Sequence, residues 1–253
     1  MFIFFTSWYI TNCLKWTKLR WLGFAPLHIL ANKILPINRA LYGIGNIVKS
    51  DSSKKIDEVI SEGTKQYLKE NGFRKTGRCF YKSGDIFIYV IDFQSSQYND
   101  PTSAKFTINV NVVFPYFHEK WTNTPLPKNP SKAAAVISRR VGHLMNDNGD
   151  SWWEVSSETN AQELGMDIRK ILSSSALPFL LEIDSVNKVL ELVRNGEKPA
   201  FSMYNPDIIT AIMHKYNGNK DLARKVLGEL RAKNKVKNFT KTIELISEHL
   251  ECS

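Results

Sequence analysis

The chain has 253 residues, 43% of them hydrophobic, 11% aromatic and 23% charged, a balance that excludes wholesale disorder, collagen-like repetition and low-complexity character. Thirty-four basic residues against 25 acidic ones give a net charge of +9, which raises nucleic acid or a membrane surface as partners. Three widely spaced cysteines, Cys13, Cys79 and Cys252, exclude a disulfide framework and suggest a reducing compartment, so a cytoplasmic location is expected.

Residues 1–50 hold six basic residues and no acid. Met1 to Leu14, Trp21 to Asn32 and Ala40 to Val48 are uncharged runs, each short of the roughly 18–20 residues that a membrane-spanning helix needs. No basic region precedes the first run as in a secretory signal, and the segment is not Ser- and Arg-rich like an organellar presequence. Trp8, Trp16 and Trp21 among interspersed Lys and Arg suit peripheral contact of residues 1–24 with a membrane. A dispensable leader and a segment packed on the core are the alternatives. The expectation is an apolar, basic leader over 1–50 that packs poorly.

From Ser53 the pattern turns globular, and residues 51–213 are close to neutral, with 19 basic and 20 acidic residues. Ile56, Val59, Ile60, Tyr67 and Leu68 fall at helical spacing, and Asn71-Gly72 supplies a stop. Phe80–Lys82 and Ile86–Phe93 read as strands joined at Ser83-Gly84-Asp85. Phe87, Tyr89, Ile91 and Phe93 line one face of the second strand and Ile86, Ile88 and Val90 the other, as in a central strand covered on both sides. After a polar connection, Lys105–Val113 alternates between Phe106, Ile108, Val110 and Val112 on one face and Lys105, Thr107, Asn109 and Asn111 on the other, predicting a half-buried strand. Pro115 to Lys132, with four prolines and no periodicity, reads as a long loop. Ala135–Leu144 and Trp152–Val155 read as further strands on either side of a turn at 146–150.

Helices follow. Asn160 and Glu163 stand in capping-box positions, Pro178 starts a short apolar helix, and Ser185 caps another that closes at Asn195-Gly196. Asn205-Pro206 opens a helix with Ile208, Ile209, Ile212, Met213 and Tyr216 in one stripe. Lys220–Lys235 reads as a helix with Leu222, Ala223, Val226 and Leu230 inward, and Asn238 opens a last one with Phe239, Ile243, Ile246 and Leu250. The fold class expected is α+β: an antiparallel sheet of about five strands packed with helices, followed by a small all-helical C-terminal appendage. The expected division is a leader over 1–50, a core domain over 51–198 and the appendage over 199–253.

Gly72 to Cys79 approaches a phosphate-binding loop but has Arg78-Cys79 where Lys-Ser/Thr is needed, and it follows a helix and precedes a strand, the reverse of what a phosphate cradle requires. Gly43-Ile-Gly45 lacks the third glycine of a dinucleotide fingerprint. His28, His118, His143, His214 and His249 have no metal-ligand spacing, so neither metal nor cofactor is expected. One constellation stands out: Gln94 and Ser95 end the central strand, Asn109 and Asn111 lie on its neighbour's polar face, Arg140 and His143 on the next strand, and Asp150, Trp152 and Trp153 follow the turn. In a meander these groups converge on a polar cleft with an aromatic wall, in which Arg140 could hold an anionic group; the competing reading is that Arg140 pairs with Asp150 or Glu154 and the tryptophans only pack. Residues 214–241 hold nine basic residues against two acidic ones, and Lys220, Arg224, Arg231 and Lys235 share a helical face. They suit phosphate contacts to nucleic acid or the solvated side of an amphipathic helix.

The stretches GFRKTGRCFYK (72–82), IYVIDFQSSQ (88–97), KFTINVNV (105–112), RRVGHL (139–144), DSWWEV (150–155) and ALPFLLEIDSV (176–186) together resemble a bacterial family of unknown function, domain-of-unknown-function family 4304, over about 72–189. The resemblance implies an α+β domain in a mostly cytoplasmic bacterial setting and no established reaction or cofactor, and it adds weight to Gln94, Arg140, Trp152 and Trp153. The reading reached is a non-enzymatic binding or regulatory domain that recognises a protein or small ligand through its sheet face and the 115–132 loop. The alternatives are nucleic-acid association through the basic C-terminal helices, and a hydrolase-like enzyme using Arg140, His143, Asp150 and Glu154.

Overall fold

A computed structural model of the chain describes residues 50–145, 149–196 and 204–251. The leader over 1–50, with its membrane contact at 1–24, lies outside the described residues except for Ser50, as do Cys13, Cys252 and positions 146–148 of the turn.

Ser50 caps the first helix, its hydroxyl accepting from Ser53 N. The helix runs as α1 (Asp51–Val59), a π-helical turn at Ile60–Thr64 and α2 (Lys65–Glu70). Six strands follow: β1 (Arg74–Thr76), β2 (Cys79–Ser83), β3 (Ile88–Ser95), β4 (Ser103–Val113), β5 (Ala135–Arg140) and β6 (Trp153–Ser156). All pairings are antiparallel. The order is β1-β2-β3-β4-β5, and β6 pairs with the first residues of β4, on residues that β5 does not use. The long β4 is therefore the axis of the sheet.

Its alternation decides the layering. Phe106, Ile108, Val110 and Val112 have no exposed surface and belong to one apolar cluster with Ile56, Val59 and Ile60 of the first helix and Ile168 and Leu172 of α4 (Ala161–Ile171) and the turn after it. Where α4 crosses the first helix, Gly165 lies against Gly63: a Cβ on Gly63 would overlap the Gly165 backbone, and one on Gly165 would stand 2.7 Å from Val59 O. A second π-helical turn, Leu172–Ala176, joins α4 to α5 (Leu177–Glu182). Pro178 explains it, because a proline inside a continuous helix cannot donate backward and its ring needs room in the preceding turn.

The C-terminal helices are α6 (Val186–Asn195), α7 (Pro206–Tyr216), α8 (Lys220–Lys233) and α9 (Lys237–Glu251). Ile208, Ile209, Ile212, Leu227, Leu230, Ile243, Ile246 and Leu250 join the same buried cluster as the sheet. Tyr216 meets Phe114 edge-on at 4.9 Å, and Trp121 meets Tyr204 at 5.1 Å. Among the described residues no helix is long and apolar enough to cross a membrane.

The structure corrects several expectations. Residues 115–132 are not loop throughout: Pro115–Thr122 is a helix, α3, with Phe117 and His118 buried. Pro115 is its first residue, where a missing N–H costs nothing, and Asn123 ends it in the left-handed region. The central strand starts at Ile88, after a turn closed by Gly84 N donating to Phe87 O at 2.8 Å, and it continues through Gln94 and Ser95. The strand expected over 135–144 stops at Arg140, and Val141–Leu144 is a 3-10 turn. Helix α8 ends at Lys233, leaving Lys235 beyond it, and Leu222 is 46% exposed because the inward stripe is Ala223, Val226, Leu227 and Leu230.

Candidate functional site

One face of the sheet is buried under helices; the other, the outer face, is divided. Near one end Cys79, Val90, Val113 and Ala135 form a small buried cluster under Leu126 and Ala133, so the segment after α3 covers this part. His118 pins that segment: its Nδ1 accepts the Ala134 N–H at 2.9 Å while its Nε2 lies 3.3 Å from Pro125 O. Since Nδ1 accepts, Nε2 carries the proton and donates.

Beyond this cover the outer face is polar. The antiparallel register aligns Tyr81, Val90, Asn111 and Ser138 in one row, Cys79, Asp92, Asn109 and Arg140 in the next, and Gln94 with Thr107 in a third. Ser138 donates to Asn111 Oδ1 at 2.7 Å, Asn109 donates to Gln94 Oε1 at 2.7 Å, and Thr107 donates to Ser151 O at 2.8 Å. The turn before β6 is drawn onto the end of β5, where Gly142 leaves no room for a side chain: a Cβ there would stand 2.6 Å from Ser151 N. That approach brings Asp150 and Trp152 to Arg140. Arg140 Nη1 lies 3.2 Å from Asp150 Oδ1, Trp152 Nε1 donates to Asp150 Oδ2 at 3.2 Å, and the guanidinium sits 4.7 Å from the Trp152 ring centre. Trp152 stays 38% exposed.

Asp92 differs from its neighbours. It is half-buried, no side chain among the described residues bonds it, and desolvation raises its pKa above the usual carboxylate value. The adjacent Cys79 thiol is pushed up to about 11, by burial first and by the Asp92 charge second, which disfavours its thiolate at neutral pH.

Of the residues singled out from sequence, Gln94, Asn109, Asn111, Arg140, Asp150 and Trp152 meet on the outer face. Ser95 and Trp153 do not. Ser95 hydrogen-bonds Arg78, which also bonds Asp57 at 2.5 Å and Ser53 O at 2.5 Å on α1. Trp153 stacks on buried Phe106 at 5.7 Å. Each is next in chain to an outward residue, and consecutive strand residues point to opposite faces. His143 lies in the 3-10 turn after β5. Glu154 is held by Ser103 at 2.7 Å and Lys105 at 3.2 Å, apart from the Arg140–Asp150 pair. Asp92 and Ser138 were missed, although Asp92, a lone acid in an apolar strand, carried a readable signal; Thr107, placed on this face by the alternation, is buried under the turn before β6.

Among the described residues no group of three or more His, Cys, Asp and Glu could hold a metal ion. Of the basic C-terminal residues, Lys220 opens α8, Arg224 pairs with Asp221 at 3.2 Å, Arg231 pairs with Glu244 at 2.7 Å, and Lys235 lies past the helix end.

A family model described as "Domain of unknown function (DUF4304)" matches residues 64–182. The matched span runs from the first helix through all six strands to α5 and so contains the whole outer face. No match to a curated protein or to a solved structure was found.

Proposed function

We propose that this chain, which belongs to the DUF4304 family through residues 64–182, is a non-enzymatic binding module that recognises a protein partner with the open part of its outer sheet face. The observation that carries the reading is the state of Asp92: a half-buried carboxylate on the outer face, between the covered Cys79–Val90 cluster and polar Asn109, raised in pKa by desolvation and without a bonded side chain among the described residues. An unpaired, partly desolvated carboxylate costs stability, and a basic or N–H donor group from a partner would compensate it.

The rest of the face supports the same reading. Small polar side chains on neighbouring strands make an array, and Trp152 at its edge offers an aromatic surface held in place by Arg140 and Asp150. An exposed aromatic anchor suits protein partners, whose interfaces concentrate binding energy on such residues. The segment over 123–134 borders the open face through Leu126 and Ala133 and contributes to recognition. The unit over 51–198 carries the recognition surface in this reading, and helices α7, α8 and α9 support it from the core. A cytoplasmic, bacterial setting belongs to the same proposal, consistent with Cys79 as a free thiol. No catalytic step enters it, since Arg140 and Asp150 are engaged with each other and Glu154 with Ser103 and Lys105.

The test is affinity capture from the native host with the full chain, followed by hydrogen exchange on the complex. Protection of β3, β4 and β5 amides, with loss of capture in an Asn109→Lys variant, supports the reading. Protection confined to α8 and α9 sinks it. A co-purifying small molecule bound at Asp92 would keep the face and replace the protein partner.

A further inference from the structure

We propose that the groove between α8 and α9 is a second binding site, for a small organic anion with an apolar body. A cavity of about 440 Å³ is lined by residues of both helices and by Lys215 of α7, within the range of small-molecule sites. Its floor is apolar, with Leu227, Ile243 and Leu250. Four cations line it, Lys215, Lys220, Arg224 and Arg231, against two carboxylates, Glu244 and Glu248. The groove is thus cationic over an apolar base, which favours an anionic head and an apolar body together.

Lys220 can take a ligand. Lys220 has no ion pair among the described residues, and Arg224 is held by an Asp221 side chain that is 98% exposed, a pair that solvent weakens. Arg231 reaches across to Glu244 at 2.7 Å.

Gly228 opens the α8 side of the groove. It lies in the middle of α8, where glycine weakens a helix, and it lines the groove. At Gly63 and Gly165 the absence of a side chain is required by a helix crossing. At Gly228 an added Cβ would meet nothing within 4 Å, so no neighbour among the described residues requires glycine there. Gly228 lines the groove, so a larger side chain at this position tests the groove directly. A nucleic-acid backbone is the poorer fit, because Glu244 and Glu248 stand on the α9 wall and would repel a continuous line of phosphates.

The experiment titrates the full chain with 8-anilinonaphthalene-1-sulfonate, a sulfonate on an apolar ring system, and with the neutral N-phenyl-1-naphthylamine. The anionic dye binds at least tenfold tighter than the neutral one. Gly228→Leu, which fills the groove, weakens the dye at least tenfold; Lys220→Glu weakens it about threefold or more; Glu248→Gln tightens it. Circular dichroism establishes that each variant is folded, and if Gly228→Leu is not, the opposite shifts in Lys220→Glu and Glu248→Gln decide. Asn109→Lys on the sheet face leaves dye binding unchanged, so failure here and failure of the sheet-face reading are separable. Equal dye affinity in wild type, Gly228→Leu and Lys220→Glu overturns the proposal. So does displacement of the dye by single-stranded DNA with steep salt dependence, which would give the groove to nucleic acid instead.

Discussion

Asp92 and Arg140 stand on opposite sides of Asn109, each directly across from it on the strands that flank β4. Two strand spacings put the backbones of the anion and the cation roughly 10 Å apart, and neither neutralises the other. Asn109 turns its amide to Gln94, and Arg140 turns to Asp150 and Trp152. The face therefore keeps a fixed spacing between an unpaired carboxylate and a guanidinium braced on an aromatic ring.

Trp152→Ala should separate binding from folding. The ring is 38% exposed and its stack with Arg140 lies at the surface, where such contacts contribute about 0.5–1 kcal/mol. Urea melts should shift by no more than that amount, while partner affinity falls tenfold or more. A large loss of stability with unchanged affinity would reassign Trp152 to the scaffold.

Asp92 makes stability depend on pH with a defined sign. A carboxyl whose folded pKa is raised, here by desolvation, favours the folded state in its protonated form. Its contribution is full below the ordinary carboxylate value and is lost as pH rises through the raised value. Asp92→Asn should be more stable than wild type at neutral pH, and the two should converge on acidification, as denaturant melts across pH 3–8 would record. In the complex the sign reverses: a cationic group on Asp92 lowers its pKa, so affinity should weaken as pH falls.

The Gly63–Gly165 crossing should tolerate no side chain. Gly165→Ala forces a Cβ to 2.7 Å from Val59 O, and overpacking against backbone costs about 1–3 kcal/mol, more where nothing can yield. Gly77→Ala, with no neighbour within 4 Å but a φ of +60°, is the informative contrast. It should lose about 1 kcal/mol through backbone conformation alone. Equal melts for wild type and Gly165→Ala would contradict the packing.

Arg78 ties the first helix to the sheet through Asp57, Ser53 and Ser95. With the Arg78 side chain only 18% exposed, Arg78→Met should cost about 1–3 kcal/mol, since charge-assisted bonds are lost and their acceptors are left without a donor. Hydrogen exchange should locate the loss at α1 and β2.

Much of this was legible because the residues obey simple periods. The alternation of Phe106 to Val112 announced β4 and its polar face, and Ser185, Asn160 and Asn205 announced their helices through caps that the structure contains. The failures are equally physical. Pro115 looked like a breaker because proline is silent about whether it interrupts a helix or starts one. Ser95 and Trp153 were grouped with Gln94 and Trp152 although a period of two sends chain neighbours to opposite faces. The Arg78 network joins residues 17 to 25 positions apart, and no local pattern announces such a contact. Gly63 and Gly165 carry no signal until the helices cross.

The most direct measurement is the affinity of the captured partner for Asn109→Lys, which places a long cation at the centre of the outer face while leaving the buried side of β4 untouched. The account predicts a loss of about a hundredfold or more with an unchanged melting profile. Wild-type affinity in a folded Asn109→Lys chain would contradict it.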